Sequence, residues 1–234
     1  MLFKSILALH LLVTSLTAAT PIKHINKADK TKNLSSGGEA YLTGGSTCYK
    51  GTQFPPVNEW LSFDELWNIN QPIMMQYDSP SELDHIKTYI EEAAAQGGVD
   101  RAILLAMIMQ ESTGNVRAIN GDGVTPGLLQ ALGGPSCLGT AFGECPESTI
   151  KNMIYAGMMG TGQTEGIAAC LKKNRRQYAF MLRCYNSGSI TDPLNLDVVK
   201  FGTPSYVSDV ANRLKGFEPR RDCGFGAGIP SPGY

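Results

Sequence analysis

Histidine is scarce in this sequence, which contains only His10, His24 and His85. Imidazole is a common metal ligand and general base, so its scarcity disfavours both a zinc site and a thiol protease that uses a Cys-His pair. Positive charge is not in excess either, because 20 Lys and Arg residues stand against 21 Asp and Glu residues. Nucleic-acid-binding proteins carry a basic surplus, and we therefore expect no nucleic-acid partner.

The chain also lacks an internal repeat, a membrane-spanning apolar run and sustained alternation of apolar and polar residues. We therefore expect no membrane partner and few or no strands. Near the start, Lys4 precedes a short apolar run that ends in small residues at Thr17, Ala18 and Ala19. This pattern is typical of a cleaved secretory signal. It predicts a signal peptide over residues 1–19 and a secreted, extracellular protein.

Residues 20–46 are polar with few apolar side chains, which predicts a flexible leader or propeptide. Residues 47–234 can form one domain with a sizeable core, and all six cysteines lie there. An even number of cysteines in a secreted chain favours three disulfides, although about fifteen pairings are formally possible. We expect one bond across a short loop, one between adjacent helices and one between the tails: Cys137–Cys145, Cys170–Cys184 and Cys48–Cys223.

An almost wholly apolar segment precedes Glu111. Every residue from Ala102 to Met109 is apolar, which predicts a helix enclosed by other elements on all sides. Glu111 follows at the end of this helix, where desolvation and the negative end of the helix dipole both oppose ionisation. We therefore expect the pKa of Glu111 to be raised, as suits a general acid.

Start and stop signals predict further helices. Ser79-Pro80-Ser81-Glu82 forms a capping box that begins one helix, Gly97-Gly98 ends it, and Asp100 caps the next. Aromatic residues at helical spacing and further Pro and Gly signals predict helical segments within 55–70, 146–157, 164–173, 175–185 and 203–214. The chain is therefore predicted to be mainly α-helical.

Three motifs follow in order: Glu111-Ser112, Gly127-Leu128-Leu129-Gln130 and Tyr185-Asn186-Ser187-Gly188. Together they resemble the soluble-type lytic transglycosylases and goose-type lysozymes, which carry Glu-Ser, Gly-Leu-Met-Gln and Ala-Tyr-Asn-Ala/Ser-Gly. This chain departs from the pattern with Leu129 for Met and Cys184 for Ala. The resemblance extends from about Glu82 to Leu214. It implies a lysozyme-like helical domain, within residues 47–234, that has a central substrate cleft.

The resemblance also implies an activity, which is cleavage of the β-1,4 bond between N-acetylmuramic acid and N-acetylglucosamine in peptidoglycan. Glu111 would protonate the glycosidic oxygen and later act as base. Gln130 and Asn186 carry amides suited to sugar hydroxyl and acetamido groups. Tyr185 would place its hydroxyl against Glu111, and Ser112 would donate to that carboxyl or to the sugar. No metal or cofactor is implied, and we expect a monomer.

Asp122 bears on the choice between lytic transglycosylation and hydrolysis. An inverting hydrolase needs a second carboxylate to activate water, whereas a transglycosylase lets the 6-hydroxyl of muramic acid attack. Asp122 lies close to where goose-type lysozymes carry an aspartate, although an Asp between two glycines is also a common turn former. Two alternatives stay open: an enzyme that acts on chitin-like N-acetylated glycans, and a secreted glycan-binding or effector protein with little catalysis.

Overall fold

Seven α-helices and one short 3-10 turn form the regular structure of residues 41–42, 44–120 and 123–226, which are the residues that the computed structural model describes. The helices are α1 (Phe63–Met74), α2 (Pro80–Gly97), α3 (Arg101–Ser112), α4 (Glu147–Met159), α5 (Ile167–Lys173), α6 (Tyr178–Ser187) and α7 (Tyr206–Leu214). Within the described ranges, β-structure is limited to two isolated bridges. The prediction of a mainly α-helical chain with few or no strands is confirmed. The predicted signal peptide and residues 20–40 lie outside the described residues.

The ends of α2 and the start of α3 coincide with the cap signals in the sequence. Ser79 Oγ accepts from the backbone N–H of Glu82 at 3.3 Å, and Ser79 N–H donates to Glu82 Oε2 at 2.8 Å. Gly98 ends α2 with a left-handed φ of 63°, and Asp100 Oδ1 accepts from Ala102 N–H at 2.7 Å. These caps satisfy backbone groups that a helix end leaves without partners.

Helix α1 begins later than the predicted segment 55–70. Residues before it form the 3-10 turn Val57–Glu59, and Ser62 then caps α1 in a capping box with Glu65. The side chains of Phe63 and Trp67 are buried, with exposed fractions of 3% and 4%. These aromatic residues therefore belong to the core of the protein.

Helix α3 lies at the centre of the core. Every residue from Ala102 to Met109 is buried, as the apolar segment predicts, because α1, α2 and α7 all pack against this helix. The 12 residues of α3 span about 18 Å. The helix ends at Thr113, which has a left-handed φ of 58°. Glu111 is thereby placed in the last turn of the most enclosed helix.

Three disulfides join the six cysteines in the predicted pairs, and this prediction is confirmed. Cys137–Cys145 closes a short loop, Cys170–Cys184 joins α5 to α6, and Cys48–Cys223 joins the segment before α1 to the segment after α7. Such bonds are typical of proteins that fold in an oxidising compartment. Among the helices of the described ranges, none has both the length and the apolar character needed to cross a bilayer.

A segment before α1 packs along α7. Thr47 N–H donates to Asn212 Oδ1 at 2.7 Å, and Asn212 Nδ2 donates back to the Thr47 carbonyl at 2.8 Å. Leu42 N–H donates to the Gly216 carbonyl at 2.9 Å. The contacts with α7 and with the residues directly after it therefore begin within residues 41–46, the end of the segment whose composition predicts a leader.

Candidate active site

Glu111 is half-buried in the last turn of α3. Tyr206, the first residue of α7, donates a hydrogen bond from its hydroxyl to Glu111 Oε1 at 2.5 Å. Desolvation raises the pKa of Glu111 to about 7, and the hydrogen bond from Tyr206 opposes that rise. A carboxyl with this pKa is present in both its protonated and its ionised form near neutral pH. It can therefore give up a proton and take one back, as a general acid and base must.

Tyr185 lies near Glu111, as the resemblance implies, but it is not the donor to the carboxyl. Its hydroxyl donates to the backbone carbonyl of Leu129 at 2.7 Å, and Tyr206 donates to Glu111. The structure therefore adds a second tyrosine, Tyr206, to the residues that the resemblance assigns to this region. Burial first, and then the charge of Glu111, raise the pKa of Tyr185 well above its ordinary value. Tyr185 thus stays a neutral hydrogen-bond donor at physiological pH.

The hydroxyl of Ser112 contacts three backbone groups. Its buried hydroxyl lies 3.1 Å from the Ile108 carbonyl and 2.9 Å from the Leu128 carbonyl, and it accepts from Gly114 N–H at 3.2 Å. A hydroxyl has one proton to donate, so the two carbonyls share it. These contacts engage Ser112 with backbone groups, and they do not include the Glu111 carboxyl.

The Gly-Leu-Leu-Gln motif is fastened by the other two motifs. The carbonyl of Leu128 accepts from Ser112 and the next carbonyl, that of Leu129, accepts from Tyr185. The Leu129 side chain is buried and covers Gly157 of α4 so closely that a Cβ at that glycine would lie 2.3 Å from Leu129 Cδ1. The departure from Met at this position therefore belongs to core packing. The fold brings the three motifs together around the end of α3.

Gln130 and Asn186 are both half-buried. Each forms hydrogen bonds to neighbouring protein groups through one end of its side-chain amide. Gln130 has a left-handed φ of 47°, and its Nε2 donates to the Gly127 carbonyl at 2.7 Å. Asn186 Oδ1 accepts from Arg183 at 3.0 Å and from Thr203 N–H at 2.9 Å. These bonds use the amide nitrogen of Gln130 and the amide oxygen of Asn186. Asp122 lies outside the described residues.

Arg183 is a buried residue that the sequence motifs do not identify. Its Nη1 donates to Asn186 Oδ1, to Ser187 Oγ at 2.9 Å and to the Thr203 carbonyl at 3.1 Å. Its Nη2 donates to the Thr203 carbonyl at 3.1 Å and to the Pro204 carbonyl at 3.0 Å. Burial lowers the pKa of Arg183 to about 10, so the side chain still carries its charge at neutral pH.

A polar network beside Tyr206 holds α7 against α3. Asp209 Oδ2 accepts from Gln110 Nε2 at 3.2 Å and from Ser205 Oγ at 2.8 Å. Arg213 Nε donates to Gln110 Oε1 at 2.8 Å. Since Gln110 immediately precedes the carboxylate residue, this network fixes α7 to the same turn of α3 that carries the candidate acid.

A second cluster of buried charges anchors the loop that follows α3. Arg117 contacts Asp78 at 3.2 Å and also pairs with Glu82, while Val116 N–H donates to Asp78 Oδ1 at 3.3 Å. Desolvation raises the pKa of Asp78 to about 7. Desolvation also acts on Glu82, but its hydrogen bonds, first of all that from Arg117, outweigh burial and lower its pKa. The cluster ties this loop to the start of α2.

Side chains of metal-ligand type come together at two places in the described ranges. One place combines Asp222 with Cys48 and Cys223, and the other combines Glu165 with Cys170 and Cys184. Each contains both sulfurs of a disulfide. Metals bind the thiolate form of cysteine, so neither group can hold a metal through sulfur while its disulfide is intact.

Glu111 is thus the candidate acid of this region, with its proton affinity set by burial and by Tyr206. The resemblance to lytic transglycosylases and goose-type lysozymes rests on the three motifs and stays a prediction. Comparison of the chain with protein-family models, with curated proteins and with solved structures finds no match.

Proposed function

We propose that this chain is a secreted glycosidase that cleaves the β-1,4 bond between N-acetylmuramic acid and N-acetylglucosamine in peptidoglycan, with Glu111 as general acid and base. The observation that carries the proposal is the half-buried carboxyl of Glu111, whose pKa is about 7 and which accepts a hydrogen bond from Tyr206. The meeting of the three motifs at the end of α3 supports it. The disulfides agree with an extracellular location.

In the first chemical step, protonated Glu111 gives its proton to the glycosidic oxygen. The bond between that oxygen and the anomeric carbon breaks, its electron pair stays on the departing oxygen, and positive charge develops on the sugar ring. Glu111 is left as a carboxylate. The hydroxyl of Tyr206 stabilises this carboxylate, because a hydrogen bond to an ionised acceptor is stronger than one to a neutral acceptor.

In the second step, the nucleophile bonds to the anomeric carbon and loses a proton. If the nucleophile is the 6-hydroxyl of muramic acid, the Glu111 carboxylate removes that proton, the product carries an internal anhydro ring, and the reaction is a lytic transglycosylation. If it is water that attacks with inversion, Asp122 is the candidate for the second carboxylate that removes the proton, and the product has a reducing end. On that path Glu111 regains its proton, and Asp122 loses the one it took, by exchange with solvent.

The glycan is proposed to lie in a cleft over Glu111, between residues 127–130 and the end of α6. The amide oxygen of Gln130 accepts hydrogen bonds, and the amide nitrogen of Asn186 donates them. These two groups match the hydroxyl and acetamido groups of N-acetylated sugars. Ser112 and Tyr185 stabilise one side of this cleft, because they donate hydrogen bonds to two successive carbonyls of residues 127–130.

The direct test is to incubate the purified, disulfide-bonded protein with peptidoglycan in ¹⁸O-labelled water and to analyse the products by mass spectrometry. Anhydro-muramyl ends without ¹⁸O support transglycosylation, and reducing ends with ¹⁸O support hydrolysis. Glu111→Gln is the matched control, because its amide oxygen can still accept from Tyr206, and we expect a loss of at least about 100-fold in rate.

Other outcomes would overturn parts of the proposal. Cleavage of chitin oligomers without cleavage of peptidoglycan would change the substrate class. If wild type and Glu111→Gln bind peptidoglycan equally well and neither yields products, the chain is a glycan-binding protein. If wild type neither binds nor cleaves either glycan, the proposed function is wrong.

A further inference from the structure

We infer that Arg183 is a positioning residue for the Glu111 carboxyl, and that it acts by fixing the start of α7 so that the hydroxyl of Tyr206 lies against that carboxyl. The inference rests on the proposed function, since it concerns the acid of that reaction. The guanidinium of Arg183 is wholly buried, and its hydrogen bonds go to the end of α6 and to the turn before α7. Any effect on Glu111 therefore passes through other residues.

The link from Arg183 to Tyr206 is a shared carbonyl. Both terminal nitrogens of Arg183 donate to the Thr203 carbonyl at 3.1 Å, and the backbone N–H of Tyr206 donates to this same carbonyl at 3.0 Å. Arg183 Nη2 also holds the next carbonyl, that of Pro204. The backbone of Tyr206 is thus anchored to a group that Arg183 keeps in place.

The end of α6, which carries Arg183, is also held in place. Arg183 shares the Asn186 amide oxygen with Thr203 N–H, and a Cβ at Gly202 would lie only 2.4 Å from that oxygen. The disulfide of Cys184 holds α6 to α5. Arg183 therefore joins the first turn of α7 to an element that is itself immobilised.

The positive charge of Arg183 also favours the hydrogen bond that Tyr206 donates to Glu111. Burial raises the pKa of Tyr206 well above its ordinary value, the charges of Glu111 and Tyr185 act in the same direction, and the charge of Arg183 opposes them. The Asp197 carboxylate faces Arg183 and favours its charged form. A neighbouring cation makes a hydroxyl a stronger donor, and Glu111 is the acceptor that benefits.

The test measures the Glu111 titration itself and needs no enzymatic activity, so it can fail independently of the proposed function. The side-chain carboxyl of ¹³C-labelled Glu111 is followed by NMR across pH and assigned with Glu111→Gln. The Tyr206 hydrogen bond favours the carboxylate, so Tyr206→Phe should raise the pKa of Glu111 by about 1 unit. Arg183→Met should raise it in the same direction, and Arg183→Lys should raise it less.

The double variant Tyr206→Phe/Arg183→Met decides the route. If Arg183 acts through Tyr206, the double variant titrates like Tyr206→Phe alone. A further shift in the double variant would overturn the route, and so would an unchanged Glu111 pKa in Tyr206→Phe or in folded Arg183 variants. A purely structural role predicts a lower melting temperature with unchanged titration. Arg117→Lys, which alters another buried arginine, is the control for that outcome, and Arg183→Lys carries the test if Arg183→Met does not fold.

Discussion

Replacing Glu111 with Gln is expected to stabilise the protein at high pH and to leave its stability at low pH nearly unchanged. Burial raises the pKa of Glu111 from 4.5 to about 7, so the folded state keeps a proton that the unfolded chain has already released. Wild type therefore loses stability as the pH rises from about 4.5 to about 7, and this group causes no further loss above that range. The shift of about 2.5 units corresponds to roughly 3 kcal/mol, the gain expected for Glu111→Gln at pH 8.

The measurement is urea unfolding at a series of pH values with the disulfides intact, followed by fluorescence of the buried Trp60 and Trp67. In a domain of this size, the expected gain corresponds to roughly 6–12 °C in melting temperature. Glu92→Gln is the control, because exposed Glu92 pairs with Lys151 at 3.6 Å and such exposed pairs contribute under about 1 kcal/mol. If the difference between Glu111→Gln and wild type does not change with pH, the argument that burial raises this pKa is refuted.

Three further substitutions are expected to lower stability, each measured by urea unfolding at neutral pH. Ser112→Ala should cost about 1–3 kcal/mol, because it leaves buried backbone groups without partners; a neutral result would contradict the fastening described for the motif loop. Glu82→Gln should cost about 3–5 kcal/mol, since it breaks a buried ion pair with Arg117. Because the pKa of Glu82 in the folded protein is lowered, this cost should shrink as the pH falls below about 4.5. Gly157→Ala should cost about 1–3 kcal/mol by overpacking against Leu129. Adding Leu129→Ala should relieve that overpacking, so a double variant whose loss of stability equals the sum of the two single losses would count against this contact.

The helices could be predicted largely from local signals. The ends of α2 and the start of α3 depend on short-range contacts, at the capping box of Ser79, at Gly98 and at the cap of Asp100. Because the residues involved are two or three positions apart, the local sequence is enough to predict these helix ends. The same kind of capping box, formed by Ser62 and Glu65, marks the start of α1. The spacing of the aromatic residues instead predicts a start several residues closer to the N-terminus. Local signals placed the helices well and their ends less well.

The position of Glu111 and the direction of its pKa shift also followed from the sequence. An apolar segment that ends in a carboxylate already implies desolvation, whatever surrounds the helix. The partner of Glu111 did not follow, because Tyr206 lies 95 residues away and its hydroxyl reaches the carboxyl only through the packing of α7 on α3. Tyr185 belongs to a recognisable motif, so the resemblance assigns a position against Glu111 to Tyr185 and none to Tyr206.

Buried charges were the hardest features to predict. Arg183 sits in a largely apolar helix segment and would ordinarily be expected to reach solvent, since arginine is rarely buried without partners. Two of its four partners are the backbone carbonyls of Thr203 and Pro204, which every sequence contains and which no side-chain pattern reveals. An isolated arginine among the apolar residues of α6 was the one available signal.

The order of the cysteines has a consequence for how the protein is made. Four cysteines that pair with one another lie between Cys48 and Cys223, which are 175 residues apart in the chain. When the chain enters an oxidising compartment from its N-terminus, Cys137 emerges long before the native partner of Cys48 does. Oxidation in order of emergence would therefore produce a non-native bond that must be reshuffled by thiol–disulfide exchange. The yield of native protein should accordingly depend on a disulfide isomerase more than on the strength of the oxidant.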